Sequence, residues 1–159
     1  MILKRGVTYF TAGDVTLERD FEALAAQFKK ASFGAVQAVG GRVIEYFEPD
    51  VVNQYPHIHV QLNGEQLYIF YNQMYDYIAF SLTKELTGLR FIDMPTLAVA
   101  FPHPYEVLTV AQLQEPLRKQ KKGDGHILLN DNDLNDVELY YMDYFPAQTV
   151  GDLVFNYWD

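Results

Sequence analysis

Two histidines one residue apart, His57 and His59, are the side chains in this sequence whose type and spacing best suit metal chemistry. Imidazole nitrogen is a common ligand of divalent transition metals. On a regular strand His57 and His59 project from the same face with Cα atoms about 7 Å apart, a spacing compatible with one shared ion. A catalytic metal also needs a third protein ligand and an open position for water. His103 is the candidate third ligand, with Glu65 and Asp76 as carboxylate alternatives. Under this alternative reading the chain is a metal-dependent enzyme holding one divalent ion that activates a bound water.

The element that must position the pair is a hairpin. Asn63-Gly64 is a strong signal for a two-residue turn, because both residues tolerate positive φ. Pairing the arms across that turn sets Ile58 opposite Ile69, Val60 opposite Leu67 and Leu62 opposite Glu65. That largely apolar surface is the expected core face. The other face carries His57 opposite Phe70, His59 opposite Tyr68 and Gln61 opposite Gln66. The pair therefore has a second reading, as polar residues among aromatics on a half-exposed sheet face, and this is the reading preferred here. The aromatics Tyr68, Phe70, Tyr75 and Tyr77 are then candidates for a binding surface or for a small-ligand pocket.

The His-x-His pair resembles that of the double-stranded β-helix metal proteins called cupins. That resemblance stops at the two histidines. The cupin glutamate follows after three or four residues, whereas five separate His59 from Glu65, and the glycine-rich framing is missing. No assignment to that fold is made.

Other chemistry is less well supported. Asp124 and His126 can form an acid–base pair but lie among glycines. Ser32 and Ser81 have no nucleophile-elbow framing, and no phosphate-binding or dinucleotide fingerprint is present. The run of acids and amides that includes Asp131, Asp133 and Asp136 lacks the central glycine and terminal glutamate of a calcium loop. It reads as the start of a helix, where carboxylates meet orphan amides and the positive dipole end.

Composition narrows the function classes. The chain has 159 residues, 49% of them hydrophobic, with 12 Tyr, 11 Phe and 1 Trp, so a folded core is expected. Its formal net charge is −9, from 21 Asp plus Glu against 12 Lys plus Arg, which disfavours nucleic acid as a partner and favours a basic protein. Cysteine is absent, which excludes disulfides and thiolate chemistry. Met1–Gly6 is followed by no long apolar segment, and no run suits a membrane helix, so a cytoplasmic setting without membrane association is expected.

Helical spacing of Leu17, Phe21, Leu24, Ala25 and Phe28 predicts an amphipathic helix over Leu17–Lys30, capped by Asp14 or Thr16 and stopped at Gly34. Strands are predicted at 35–39 and 42–47 about a Gly40-Gly41 turn, on both arms of the Asn63-Gly64 hairpin, at 73–82, and at 90–93 and 97–101. A short helix or turn is expected over 109–119, a basic exposed loop over 119–125, and weak helix over 130–144. Thr149 and Asp152 suggest a capping box and a short terminal helix, with the apolar tail docked. The expected architecture is α+β in one domain spanning 1–159. It has a single antiparallel sheet of five or six strands, the N-terminal helix on one face, and short C-terminal elements.

The preferred functional expectation is non-enzymatic recognition of another protein. One concrete form is an acidic inhibitor or immunity-type protein that masks a basic partner, with Asp131, Asp133 and Asp136 among the contacts; self-association is also compatible. The ending Thr149–Asn156 resembles those of small bacterial proteins, some encoded beside toxins, and implies the same setting. The alternatives are the metal enzyme and a small-ligand carrier with an aromatic pocket.

Overall fold

The computed structural model describes residues 1–158. The chain gathers into two compact units, Asp20–Val110 and Met1–Arg19 with the segment from Ala111 onward.

In the unit Asp20–Val110 an 18-residue helix, α1 (Phe21–Ala38), precedes four strands: β1 (Arg42–Phe47), β2 (His57–Leu62), β3 (Glu65–Asn72) and β4 (Tyr77–Ser81). A one-turn helix, α2 (Pro95–Ala98), and a two-residue strand, β5 (Glu106–Val107), complete it. The sheet order is β1-β2-β3-β4-β5, antiparallel except for the parallel β4–β5 pair.

The amphipathic helix is present, but displaced along the chain. Asp20 caps it by accepting from Ala23 N at 3.1 Å, while Asp14 caps a separate 3-10 turn at Val15–Leu17. Its buried positions Ala25, Phe28, Ser32, Ala35 and Val36 recur at helical spacing, and Phe28 stacks on Tyr71 of β3 at 4.7 Å. Gly34 does not stop it, so residues 35–38 are helix rather than strand. The stop lies at Gly40, whose φ is +78°. Gly41 N donates to Val36 O at 2.9 Å and Gly40 N to Gln37 O at 3.1 Å, the two bonds of a Schellman motif. The glycine pair expected to turn a hairpin therefore satisfies the carbonyls of a helix end.

The Asn63-Gly64 turn forms as expected, with φ of +53° and +79° and with every predicted cross-strand pair from His57↔Phe70 to Leu62↔Glu65. Ile58, Val60, Leu62, Leu67 and Ile69 join Phe28, Val36 and Phe80 in one apolar core. The strand predicted at 90–93 is reduced to a bridge between Phe91 and Ser81. That predicted at 97–101 is replaced by α2, which Pro95 opens with a φ already suited to helix.

A further short helix, α3 (Val110–Leu113), lies within the predicted 109–119 segment. Beyond it the sheet is not single. Residues expected as a basic loop form a second, two-stranded antiparallel sheet of β6 (Lys119–Lys122) and β7 (Gly125–Leu128). The Lys-Gln-Lys-Lys sequence of β6 hid the strand, because its polar side chains give no apolar alternation to read. Then follow α4 (Asp136–Tyr144) and α5 (Val150–Val154), each opened by a full capping box: Asn135 with Glu138, and Thr149 with Asp152. The apolar tail is tied down, with Val154, Phe155 and Trp158 buried.

Candidate functional site

β2 places His57 and His59 on the sheet face opposite the apolar core residues, in adjacent cross-strand rows. One row runs Phe47–His57–Phe70 and the next Glu45–His59–Tyr68. His57 is sandwiched: its ring lies 4.6 Å from Phe47 and 4.9 Å from Phe70, within 7° of parallel to each, and the residue is 5% exposed. Its Nδ1 lies 3.0 Å from the Tyr55 carbonyl oxygen, an acceptor only, so this nitrogen carries the hydrogen. His59 stacks on Tyr68 at 4.5 Å, and its Nε2 pairs with Gln66 Oε1 at 3.1 Å. His103 sits exposed between Pro102 and Pro104. Among the described residues no three His, Asp or Glu side chains come together in a group able to hold a metal ion. The two rings act as aromatic plates in stacked rows, which a sequence spacing cannot distinguish from a ligand pair.

Removal from water pushes the His57 imidazole below its ordinary 6.5; Lys84 adds to this, while the Tyr55 carbonyl and Asp50 oppose it. The sign of the linked stability follows. The unfolded chain takes up this proton near 6.5, before the folded chain does, so stability is intact above 6.5 and falls as pH drops from there to the folded value. Replacing His57 with Phe keeps a ring in the stack and removes the proton site. We expect urea midpoints measured from pH 7.5 down to 5 to decline less steeply in His57→Phe than in the parent, whatever its offset at pH 7.5. Equal slopes would show that His57 is not held neutral by its surroundings. Asp14 and Asp50, lowered from 3.8 by their own turn hydrogen bonds, favour the folded chain throughout this range, and that contribution is lost only as pH falls below about 3.8.

The aromatic candidates divide. Phe70 and Tyr77 are buried, Tyr68 and Tyr75 half-buried. Tyr75 packs against Tyr77 at 6.1 Å, and burial beside Glu106 and Tyr75 pushes the Tyr77 hydroxyl up to about 12. These side chains do not make a continuous exposed surface.

The acidic candidates lead to a different surface. Asp131, Asp133 and Asp136 are exposed around the start of α4. The Leu3 amide donates to the Asp131 carbonyl at 3.0 Å, and Asp133 N donates to Leu3 O at 2.8 Å, which fixes this acidic loop on the N-terminal segment. Next to it, α4 turns Val137, Tyr140 and Tyr144 outward at i, i+3 and i+7, one helical stripe. Tyr140 and Tyr144 are 62% and 64% exposed, and their rings stack at 6.2 Å. Met142 and Glu138 face inward. Reading 130–144 as weakly helical located the element but missed this stripe, since Tyr141 and Leu139 between the outward residues blur its period. His126 pairs with Asp143 of α4, not with Asp124: Nδ1 to Oδ1 is 2.9 Å, and His126 N donates to Oδ2 at 2.9 Å. That pair pins β7 to α4 beside the stripe.

Comparison with protein-family models, with curated proteins and with solved structures finds no match to this chain. Among the described residues no helix is long and apolar enough to cross a membrane.

Proposed function

We propose that this chain is a protein-binding module that docks a basic partner on the outward face of α4, in the manner of an acidic inhibitor or immunity-type protein of the cytoplasm. The observation that carries this reading is the paired, exposed Tyr140 and Tyr144, continued by Val137 and bordered by Asp131, Asp133 and Asp136. Tyrosine rings offer large contact area for few lost rotamers, which makes them effective anchors in interfaces. The carboxylates beside them, on a chain of net charge −9, speed encounter with a positive surface and disfavour acidic competitors.

A Tyr140→Ala/Tyr144→Ala double variant tests this. Both side chains point outward, so the Trp158 emission of the folded chain should be unchanged. Capture from the native host with the parent protein should recover a basic protein, and that recovery should fall at least about tenfold with the variant, as for loss of a hot spot. The captured protein should also be released by raising salt from about 0.05 to 0.5 M, because screening removes the charge attraction. Recovery of the same proteins by parent and variant would overturn the assignment of this face.

A further inference from the structure

A cleft of about 310 Å³ opens within the unit Asp20–Val110, at the end of the Phe47–His57–Phe70 row. It is walled by the β1–β2 loop on one side and by the start of the segment after β4 on the other. Four features of its lining are specific. His57 contributes a ring that is almost wholly buried yet reaches the cleft. Its Nδ1–H is committed to the Tyr55 carbonyl, so Nε2 of the neutral ring is a hydrogen-bond acceptor, and among the described residues Nε2 has no partner. Lys84 brings a cation to one wall, its Nζ 5.7 Å from the centroid of the Phe47 ring. Asp50 brings an anion to the other wall: Oδ1 accepts from Val52 N and Asn53 N, each at 2.8 Å, which leaves Oδ2 unused. Val52 and Leu86 add apolar surface to the lining.

We propose that this cleft binds a free α-amino acid with an apolar side chain. A zwitterion is the small molecule whose groups match the lining in sign and type. Its ammonium donates to His57 Nε2 and faces Asp50. Its carboxylate meets Lys84. Its side chain rests on Val52, Leu86 and the edge of the aromatic stack. Glu85, next to Lys84, adds a second carboxylate to the lining. A simple anion leaves the His57 acceptor unsatisfied and is repelled by Asp50 and Glu85; a simple cation leaves Lys84 without a counter-charge in the ligand. The cleft volume exceeds that of such an amino acid, so the ligand fits without rearrangement of the stack. The site shares no residue with the α4 face, and its failure would leave the protein-binding reading standing.

The test is a titration of the full-length protein, with the His57 Cε1–H resonance as the reporter, against L-valine, L-leucine, L-isoleucine and L-methionine. At least one should shift the resonance saturably. N-acetyl-L-leucine, which lacks the ammonium, and L-leucinamide, which lacks the carboxylate, should not. Lys84→Ala changes an exposed side chain, so it leaves the fold intact and should weaken the response about tenfold, the effect of losing one charge-assisted contact. No saturable shift with any of the four amino acids, or equal shifts with the two blocked compounds, overturns the proposal. An undiminished response in Lys84→Ala does so as well.

Discussion

Glu138→Ala is expected to destabilise the unit that contains α4 by about 4 kcal/mol, because it strips the acceptor from three amides that have no route to water. Glu138 is fully buried, and no basic side chain is among its hydrogen-bond partners. Its Oε1 accepts from Gly6 N at 2.9 Å and Asn135 N at 3.1 Å; its Oε2 accepts from Thr8 N at 3.2 Å and from the Thr8 hydroxyl. A buried carboxylate is ordinarily costly. This one is sustained by oriented donors and by its position as the third residue of α4, where the helix dipole favours negative charge. The same side chain thus closes the capping box of α4 and anchors the N-terminal segment from 130 residues away in sequence. The single tryptophan, Trp158, lies in the same unit and reports its unfolding directly. With a urea slope of about 2 kcal/mol/M, the midpoint read from Trp158 fluorescence should fall by about 2 M. Glu138→Gln keeps one acceptor oxygen but turns an amide against the Thr8 donors, so roughly half the loss should remain. A midpoint within error of the parent for Glu138→Ala would show that these bonds do not hold the N-terminal segment in place.

Asn156 supports the next largest expectation. It is fully buried, its Nδ2 donating to Thr8 O at 3.0 Å and Leu153 O at 2.9 Å, and its Oδ1 accepting from Trp158 N at 3.1 Å. Leucine has nearly the same volume and none of these bonds. Asn156→Leu should therefore lower stability by about 3 kcal/mol, even though a transfer scale would favour the more apolar residue. Asn156→Asp should be worse at neutral pH, since it turns a charged oxygen toward two carbonyls. Protonation supplies one donor and removes the charge, so burial there would raise the variant's carboxyl pKa above about 4. The folded variant then holds its proton more tightly than the unfolded one, and its deficit relative to the parent should grow as pH rises from about 4 toward neutrality. Trp158 emission in paired urea titrations at pH 4.5 and pH 7.5 would show it. A deficit for Asn156→Asp that is the same at both values, or a stability for Asn156→Leu equal to the parent's, would contradict the role given to this amide.

What could be read in the sequence was what local chemistry decides. Asn63-Gly64 set the turn and hence the register of β2 on β3, because a two-residue turn leaves one pairing and the side-chain period of two does the rest. Thr149 with Asp152 marked the start of α5, and the acids and amides before α4 marked its start, because capping acts over three residues. Tertiary structure decided the rest. Residues 35–39, Ala-Val-Gln-Ala-Val before a glycine pair, suit the arm of a hairpin as well as the end of a helix, and packing of Ala35 and Val36 against the sheet extends α1 through them. The Lys-rich β6 carries no apolar pattern and is a strand because β7 pairs with it. His57 and His59 had the spacing of metal ligands. Whether a third ligand converges on them depends on chain segments far apart in sequence, and in this fold aromatic rings occupy the neighbouring positions. Glu138 lies in the same stretch of acids and amides as Asp131, Asp133 and Asp136, and nothing in the sequence sets it apart from them. Its burial was not legible, since the amides it accepts from belong to Gly6 and Thr8, and no local rule connects residues so distant along the chain.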